Sequence, residues 1–229
     1  MSIIEMYLSD MLHYAWIGLL VYTVARVIYI RVKHRQVNWK RELMLCLFVS
    51  YLVGLASQTI FPTWLIANYE GEPYFYFYLR GVGVHLIRSS SGGIRVECAF
   101  NGCGPLDNVN LIPLKTILSQ LSGQIPVSGN EVVETSILNL LGNVLLFSPI
   151  GFFLPMLWAK YKRPKQVLWT GLRITLAVEI LQYIIGRSTD IDDVILNTLG
   201  VMLGYLFYRL LRRLWAAQRG HFPCTNPRG

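Results

Sequence analysis

Charge is scarce in this chain. Only 15% of its 229 residues are Asp, Glu, Lys or Arg, while 53% are hydrophobic. A soluble domain of this length carries about a quarter charged residues. The shortage excludes an ordinary soluble fold and points to a polytopic membrane protein. Acidic residues are the scarcer kind, 13 against 21 basic ones, which leaves a net charge of +8. That excess does not signal nucleic acid, because it is split between apolar runs and no stacked-aromatic or helix-turn-helix module accompanies it. Histidine and cysteine number four each. Neither CxxC pairs nor paired histidines are present, so a zinc site is not expected. No nucleophile elbow, Walker loop, zincin helix or kinase motif set is present. None of His13, His34, His85 and His221 falls near the polar residues of 179–200 in sequence, so a serine nucleophile there would lack a base. Inverted repeats are also missing, which argues against a secondary transporter.

What is present is a series of long apolar segments. "MLHYAWIGLLVYTVARVIYI" (11–30) is long enough to cross a hydrocarbon core of about 30 Å. Its preceding charges are Glu5 and Asp10, and no small-residue cleavage site follows it, so it reads as a retained span and not a signal peptide. Further spans are expected at 43–66, 136–158, 166–186 and 191–210. The basic residues fall in alternate connections: Arg31, Lys33, Arg35, Lys40 and Arg41 in one, Lys160, Lys162, Arg163 and Lys165 in another. Arg209, Arg212, Arg213, Arg219 and Arg228 mark the tail. Cytoplasmic loops concentrate Lys and Arg. The expected fold is therefore an all-α bundle of five transmembrane helices in a plasma membrane, N-terminus outside and C-terminus inside. Arg26, one turn from the inner end of its span, is placed to snorkel. Arg173, about two turns in, is placed to snorkel or to pair internally.

The chain divides into residues 1–66 (two spans), 67–135 (an extracytoplasmic insertion), 136–211 (a core of three spans) and 212–229 (a basic cytoplasmic tail). In the insertion, "YFYFYLRGVGVHLIRSSSGGIRVECAF" (74–100) alternates strand-forming residues around "SSSGG", which predicts a hairpin with a further strand at its start. Cys98 and Cys103 lie together on the oxidising side and are expected to form a disulfide. "DNVNLIPLKTILSQL" (107–121) is a turn followed by a short amphipathic stretch, expected along the outer interface.

Polar residues concentrate in "EILQYIIGRSTDIDDVILNTLG" (179–200). In lipid such residues are costly unless they face protein, water or each other. Asp190, Asp193, Asn197, Gly200 and Gly204 recur at steps of three and four and share one helical face. Gly171, Thr175, Glu179, Gln182 and Gly186 form a second face, and Asn139 and Asn143 flank Gly142 on a third helix. By helical rise, Asn143, Glu179 and Asn197 all lie about 10 Å below the outer surface. One outward-opening site is expected, built from Asn139, Asn143, Glu179, Gln182, Arg187, Asp190, Asp193 and Asn197. Ser188, Thr189 and Asp190 also stand where an N-cap belongs, and Asp192 suits the first turn of its helix. Glu179 has no such role and would pair with Arg187 or be held as a neutral acid. Asp190 and Asp193 with amide oxygens nearby admit a hard divalent cation, although no motif fixes one and no cofactor is predicted. Catalysis is left open, with Glu179, Asp190 and Asp193 as the groups that would carry it.

"NLIP" (110–113), "NLLGNVLLFSPIGFFLP" (139–155) and "EILQYIIGRSTDIDDVILNTLGVMLGY" (179–205), in this order, resemble the VanZ-like family of bacterial integral membrane proteins. The resemblance covers the last three spans and their outer approach. It points to Asn139, Asn143, Pro149, Gly151, Glu179, Gln182, Arg187, Asp190, Asp193, Asn197 and Gly200, and assigns none of them a role. It implies low-level resistance to teicoplanin and related lipoglycopeptides. The implied partners are membrane lipids, lipid-linked cell-wall precursors or the drug itself. A membrane enzyme acting on a lipid-linked phosphate or glycan is the alternative. The oligomeric state is open.

The insertion leaves from the second span and rejoins the third just before Asn139, so the 74–100 hairpin is expected to cover the site as a lid. Replacing 74–104 by a short Gly/Ser linker should then raise labelling of a cysteine at Asn197 by an impermeant thiol reagent. Equal labelling with and without the hairpin would remove the lid.

Overall fold

The computed structural model describes residues 3–34, 36–60, 66–69, 72–79, 82–88, 94–100, 109–121, 131–185 and 187–219, with side chains described at 8–9, 11–34, 36–60, 109–121, 139–185 and 187–218. Five helices are long and apolar enough to cross a membrane. They are α1 (Ile3–Val32), α2 (Trp39–Thr59), α4 (Glu131–Leu157), α5 (Pro164–Ile184) and α6 (Ile191–Arg219). A sixth, α3 (Lys115–Leu121), is short. Among the described residues of 66–100 are four strands, β1 (Ile66–Tyr69), β2 (Glu72–Leu79), β3 (Val82–Arg88) and β4 (Ile94–Phe100), paired in order as an antiparallel meander. The hairpin across "SSSGG" thus exists, Arg88 facing Ile94, and β2 is the expected further strand. β1 is an addition. The expected second span reached to residue 66, whereas α2 stops at Thr59 and residues 66–69 are extended. The Cys98–Cys103 disulfide and the surface covered by the hairpin fall outside the described residues.

Lipid-facing character is clearest on α1, where Trp16, Leu20, Val21 and Ile28 are exposed. Its inner face packs on α2. Gly54 lets the Met11 backbone approach, because a Cβ there would stand 3.1 Å from the Met11 carbonyl oxygen. The Ser50 hydroxyl donates to the Ala15 carbonyl at 2.6 Å. Arg26 does not merely snorkel. Its guanidinium donates twice to Glu42, at 2.7 and 2.9 Å, and this pair neutralises both charges at the α1–α2 seam. Arg173 makes the other choice. It is exposed on α5 and lines a shallow depression with Lys160, Tyr161 and Trp169 towards the far end of the helix, as a snorkelling arginine does.

The core lies between α2, α4, α5 and α6. Phe147, Ile150, Val167, Val201 and Tyr205 are almost completely buried, with Phe48 and Leu55 of α2 closing the cluster. The α4–α6 interface is the closest. A Cβ on Gly200 would fall 2.2 Å from the Val144 carbonyl oxygen, and one on Gly204 only 1.8 Å from that of Ser148. From the other side, a Cβ on Gly151 would stand 1.7 Å from the Val201 carbonyl oxygen. These small residues bring two backbones together, as they do between helices in lipid. The Gly200–Gly204 strip therefore packs within one chain. α4 carries Pro149, whose missing N–H would leave the Leu145 carbonyl unpaired. The Ser148 hydroxyl supplies that bond at 3.0 Å. The adjacent Leu146 carbonyl accepts from the Tyr51 hydroxyl of α2. α6 continues to Arg219, so the first part of the expected tail is helical.

Gly204→Ala should lower thermal stability of the purified protein by about 1–3 kcal/mol, since the new methyl meets a backbone carbonyl that cannot move alone. Gly142 has open space around its Cβ position, so Gly142→Ala should leave stability unchanged or slightly higher.

Candidate functional site

Two chain segments about eighty residues apart build the site. Residues Val109–Asn110 (β5) pair in parallel with Thr189–Asp190 (β6), Val109 opposite Thr189 and Asn110 opposite Asp190. This lays the "NLIP" segment along the turn between α5 and α6. Side chains then fasten it. Asn110 donates to Asp190 Oδ1 at 3.0 Å and to Thr116 Oγ1 at 3.0 Å, and the Thr116 hydroxyl donates to Asp190 Oδ2. Asp190 also caps α6, accepting from the Asp192 amide at 2.9 Å. Its expected reading as a cap is realised, and the same carboxylate lines the neighbouring cleft.

Asp192 stands in the first turn of α6, as expected, but its hydrogen bonds go elsewhere. It is 1% exposed, and its carboxylate does not serve its own helix. It accepts the Leu114 amide at 2.5 Å, the Thr116 amide at 2.8 Å and the Ile117 amide at 3.0 Å. These N–H groups open α3 and have no intrahelical partner. Leu114, with φ of 65°, adopts the left-handed conformation that this tight turn requires. A carboxylate receiving three amides is a strong charge-assisted fastening. It holds α3 over the α4–α6 ends while Leu111, Ile112, Leu118 and Leu121 stay exposed, as suits a segment lying at a membrane interface.

A cleft of about 550 Å³ opens between these parts. Asn139 and Asn143 of α4, Asp190 and Asp193 of β6 and α6, and Asn110, Lys115, Thr116 and Gln120 around α3 line it, with Ser188 and Thr189. Asn143 donates to Asp193 at 2.6 Å. Two buried oxygens of the lining, Gln120 Oε1 and Thr189 Oγ1, have no hydrogen-bond partner among the described residues. Buried acceptors of this kind call for a donor. Behind the β5–β6 pair lies a second, smaller groove of about 270 Å³, lined by Leu111, Leu176, Ile180, Tyr183, Ile191 and Val194. Glu179 is at its base, 4% exposed, and accepts the Asp190 amide at 3.2 Å. Val109, Thr189 and Asp190 line both hollows and so form their common wall.

Four of the eight expected site residues thus meet in the polar cleft: Asn139, Asn143, Asp190 and Asp193. Glu179 lies across the wall. Gln182 and Arg187 do something else. Gln182 donates to the Thr59 carbonyl at 3.0 Å, and Arg187 donates to the Gln58 and Thr59 carbonyls at 3.2 and 3.0 Å. They cap the end of α2, whose last carbonyls lack helical partners. The expected Glu179–Arg187 pair is not among the ion pairs of the described residues, because Arg187 is spent on α2. Asn197 is 3% exposed and outside both hollows, and its Oδ1 has no partner among the described residues. Helical phase places it under Asp193, one turn too deep. A cysteine at Asn139 therefore suits the labelling experiment better than one at Asn197. Asn110, Lys115, Thr116 and Gln120 were missed, although all four lie in the "NLIP" motif or within seven residues of its end. Among the described residues no group of three or more His, Cys, Asp or Glu is arranged to hold a metal ion.

Five apolar helices with a polar cleft at one end of a three-helix core define a multi-pass membrane protein. The VanZ/LLP1 family profile matches residues 75–212, more than half of the chain, and the chain belongs to that family. No curated protein and no solved structure matches it significantly.

Asp192→Ala should free α3, at a cost of about 3 kcal/mol or more for the stranded amides. Hydrogen exchange at Leu114, Thr116 and Ile117 should rise sharply, and Asp192→Asn, which keeps one acceptor, should show a smaller rise.

Proposed function

We propose that the cleft binds the polar head of an amphipathic envelope molecule whose hydrocarbon part lies in the neighbouring apolar groove. A membrane lipid, a lipid-linked wall precursor and a lipoglycopeptide such as teicoplanin all have this build. The observation that carries the reading is the common wall: a polar hollow and an apolar one share Val109, Thr189 and Asp190 and lie back to back. Lys115 offers a cation to a phosphate or carboxylate, and the amides of Asn139 and Asn143 offer donors to sugars or headgroup oxygens. Family membership links the chain to glycopeptide resistance at the level of the family, and occupancy of this site would lower drug action at the membrane surface. The basic residues of the 31–41 and 159–165 connections and of the α6 end support an orientation with the cleft outward, N-terminus outside and C-terminus in the cytoplasm.

Binding suits the geometry better than catalysis. Asp190 spends both oxygens on Asn110, Thr116 and the Asp192 amide, Asp193 accepts from Asn143, and Glu179 stands on the other side of the wall.

In a bacterial host made teicoplanin-tolerant by this protein, Lys115→Ala combined with Asn139→Ala should return the inhibitory concentration to that of cells lacking the protein. Membrane levels, followed by immunoblot, should be unchanged. Full tolerance at normal abundance would sink the cleft reading.

A further inference from the structure

The end of the bundle opposite the cleft carries a second built feature. Arg209, Arg212 and Arg213 project from one face of α6 at steps of three and four, and Lys162 and Arg163 face them from the connection before α5. Together with Tyr208 they surround a cavity of about 420 Å³. The two elements are held in register, since the Tyr205 hydroxyl donates to the Lys162 carbonyl at 2.8 Å and Arg209 lies over the Tyr205 ring. α5 begins here at Pro164, and its capping residue Arg163 makes no side-chain cap. The positive end of that helix therefore adds to the five side-chain charges.

Like charges at these spacings repel. The flanking sequence supplies no acid to neutralise them: there is no Asp or Glu from Val194 to Gly229, nor from Leu157 to Val178. Among the described residues no salt bridge reaches any of the five cations. The arrangement is complete only with an anion, and guanidinium forks at several angles match phosphate oxygens. Exposed Leu210, Leu214 and Trp215 on the same stretch of α6 set the cavity at headgroup level, where tryptophan and tyrosine collect.

We propose that this basic cavity is a binding site for the phosphate of an anionic phospholipid in the leaflet at that end of the bundle. Its ligand is separate from whatever occupies the cleft. A phosphate held there draws α6 and the α4–α5 connection together by offsetting part of the repulsion among the five cations.

The test uses the full chain, purified in a neutral detergent and titrated with phosphatidylglycerol while bound lipid is counted by native mass spectrometry. Phosphatidylglycerol should bind and phosphatidylcholine should not. Arg212→Gln and Arg213→Gln should each weaken binding about fivefold, whereas Arg31→Gln with Lys33→Gln, in the α1–α2 connection, should leave it unchanged. Lys162→Gln with Arg163→Gln gives the same reading from the facing element if the α6 variants do not fold. An equal loss in the Arg31/Lys33 variant, or undiminished binding in the others, would overturn the site. Displacement of the lipid by millimolar inorganic phosphate would overturn the lipid assignment and leave a free-phosphate site.

Discussion

The carboxylate of Asp192 holds the site together. Buried at the start of α6, it needs donors, and the opening turn of α3 needs acceptors. Each debt cancels the other. Because the bond joins parts of the chain nearly eighty positions apart, it also fixes where the "NLIP" segment lies. The β5–β6 pairing, the Asn110–Asp190–Thr116 network and the position of Lys115 all follow from that docking. Without it, the polar cleft would have one wall.

Beneath this cap the three-helix core works by a different rule. Lipid gives no hydrophobic reason for helices to associate, so close packing has to supply it. Gly151, Gly200 and Gly204 bring α4 and α6 to backbone distance, and Val201 fills against Gly171 of α5. The polar groups at the top of α6 sit on this rigid support. Asn143 and Asp193 meet because the helices below them cannot slide.

The five spans and the polar cluster were legible in the sequence because both depend on local pattern. Apolar length alone marks a span, and i, i+3, i+4 spacing marks a face. The failures have a common physical source. Asn197 keeps the phase of Asp193, but one further turn carries it below the cleft. Glu179 and Gln182 do share a side of α5, yet one faces β6 and the other reaches α2, because different elements stand opposite each end of that strip. Asp192 looked like the partner of its own helix, the nearest set of free amides in sequence. The amides that it takes are nearest only in space. Lys115 gave no periodic signal at all, being the first residue of a seven-residue helix.

The attachment of α2 to the rest of the bundle has a consequence for how such chains vary. Gln182 and Arg187 grip main-chain carbonyls of α2, and Tyr51 of α2 in turn donates to a main-chain carbonyl of α4. Any helix that ends at the right height offers Gln182 and Arg187 the same acceptors, whatever its side chains. The joint is a generic socket on the three-span core. Gln182 and Arg187 thus place no demand on the side chains of the leading pair of helices, whereas Phe48, Tyr51 and Leu55 tie α2 to the core by side chain. The family profile, which begins at residue 75, stops short of that pair.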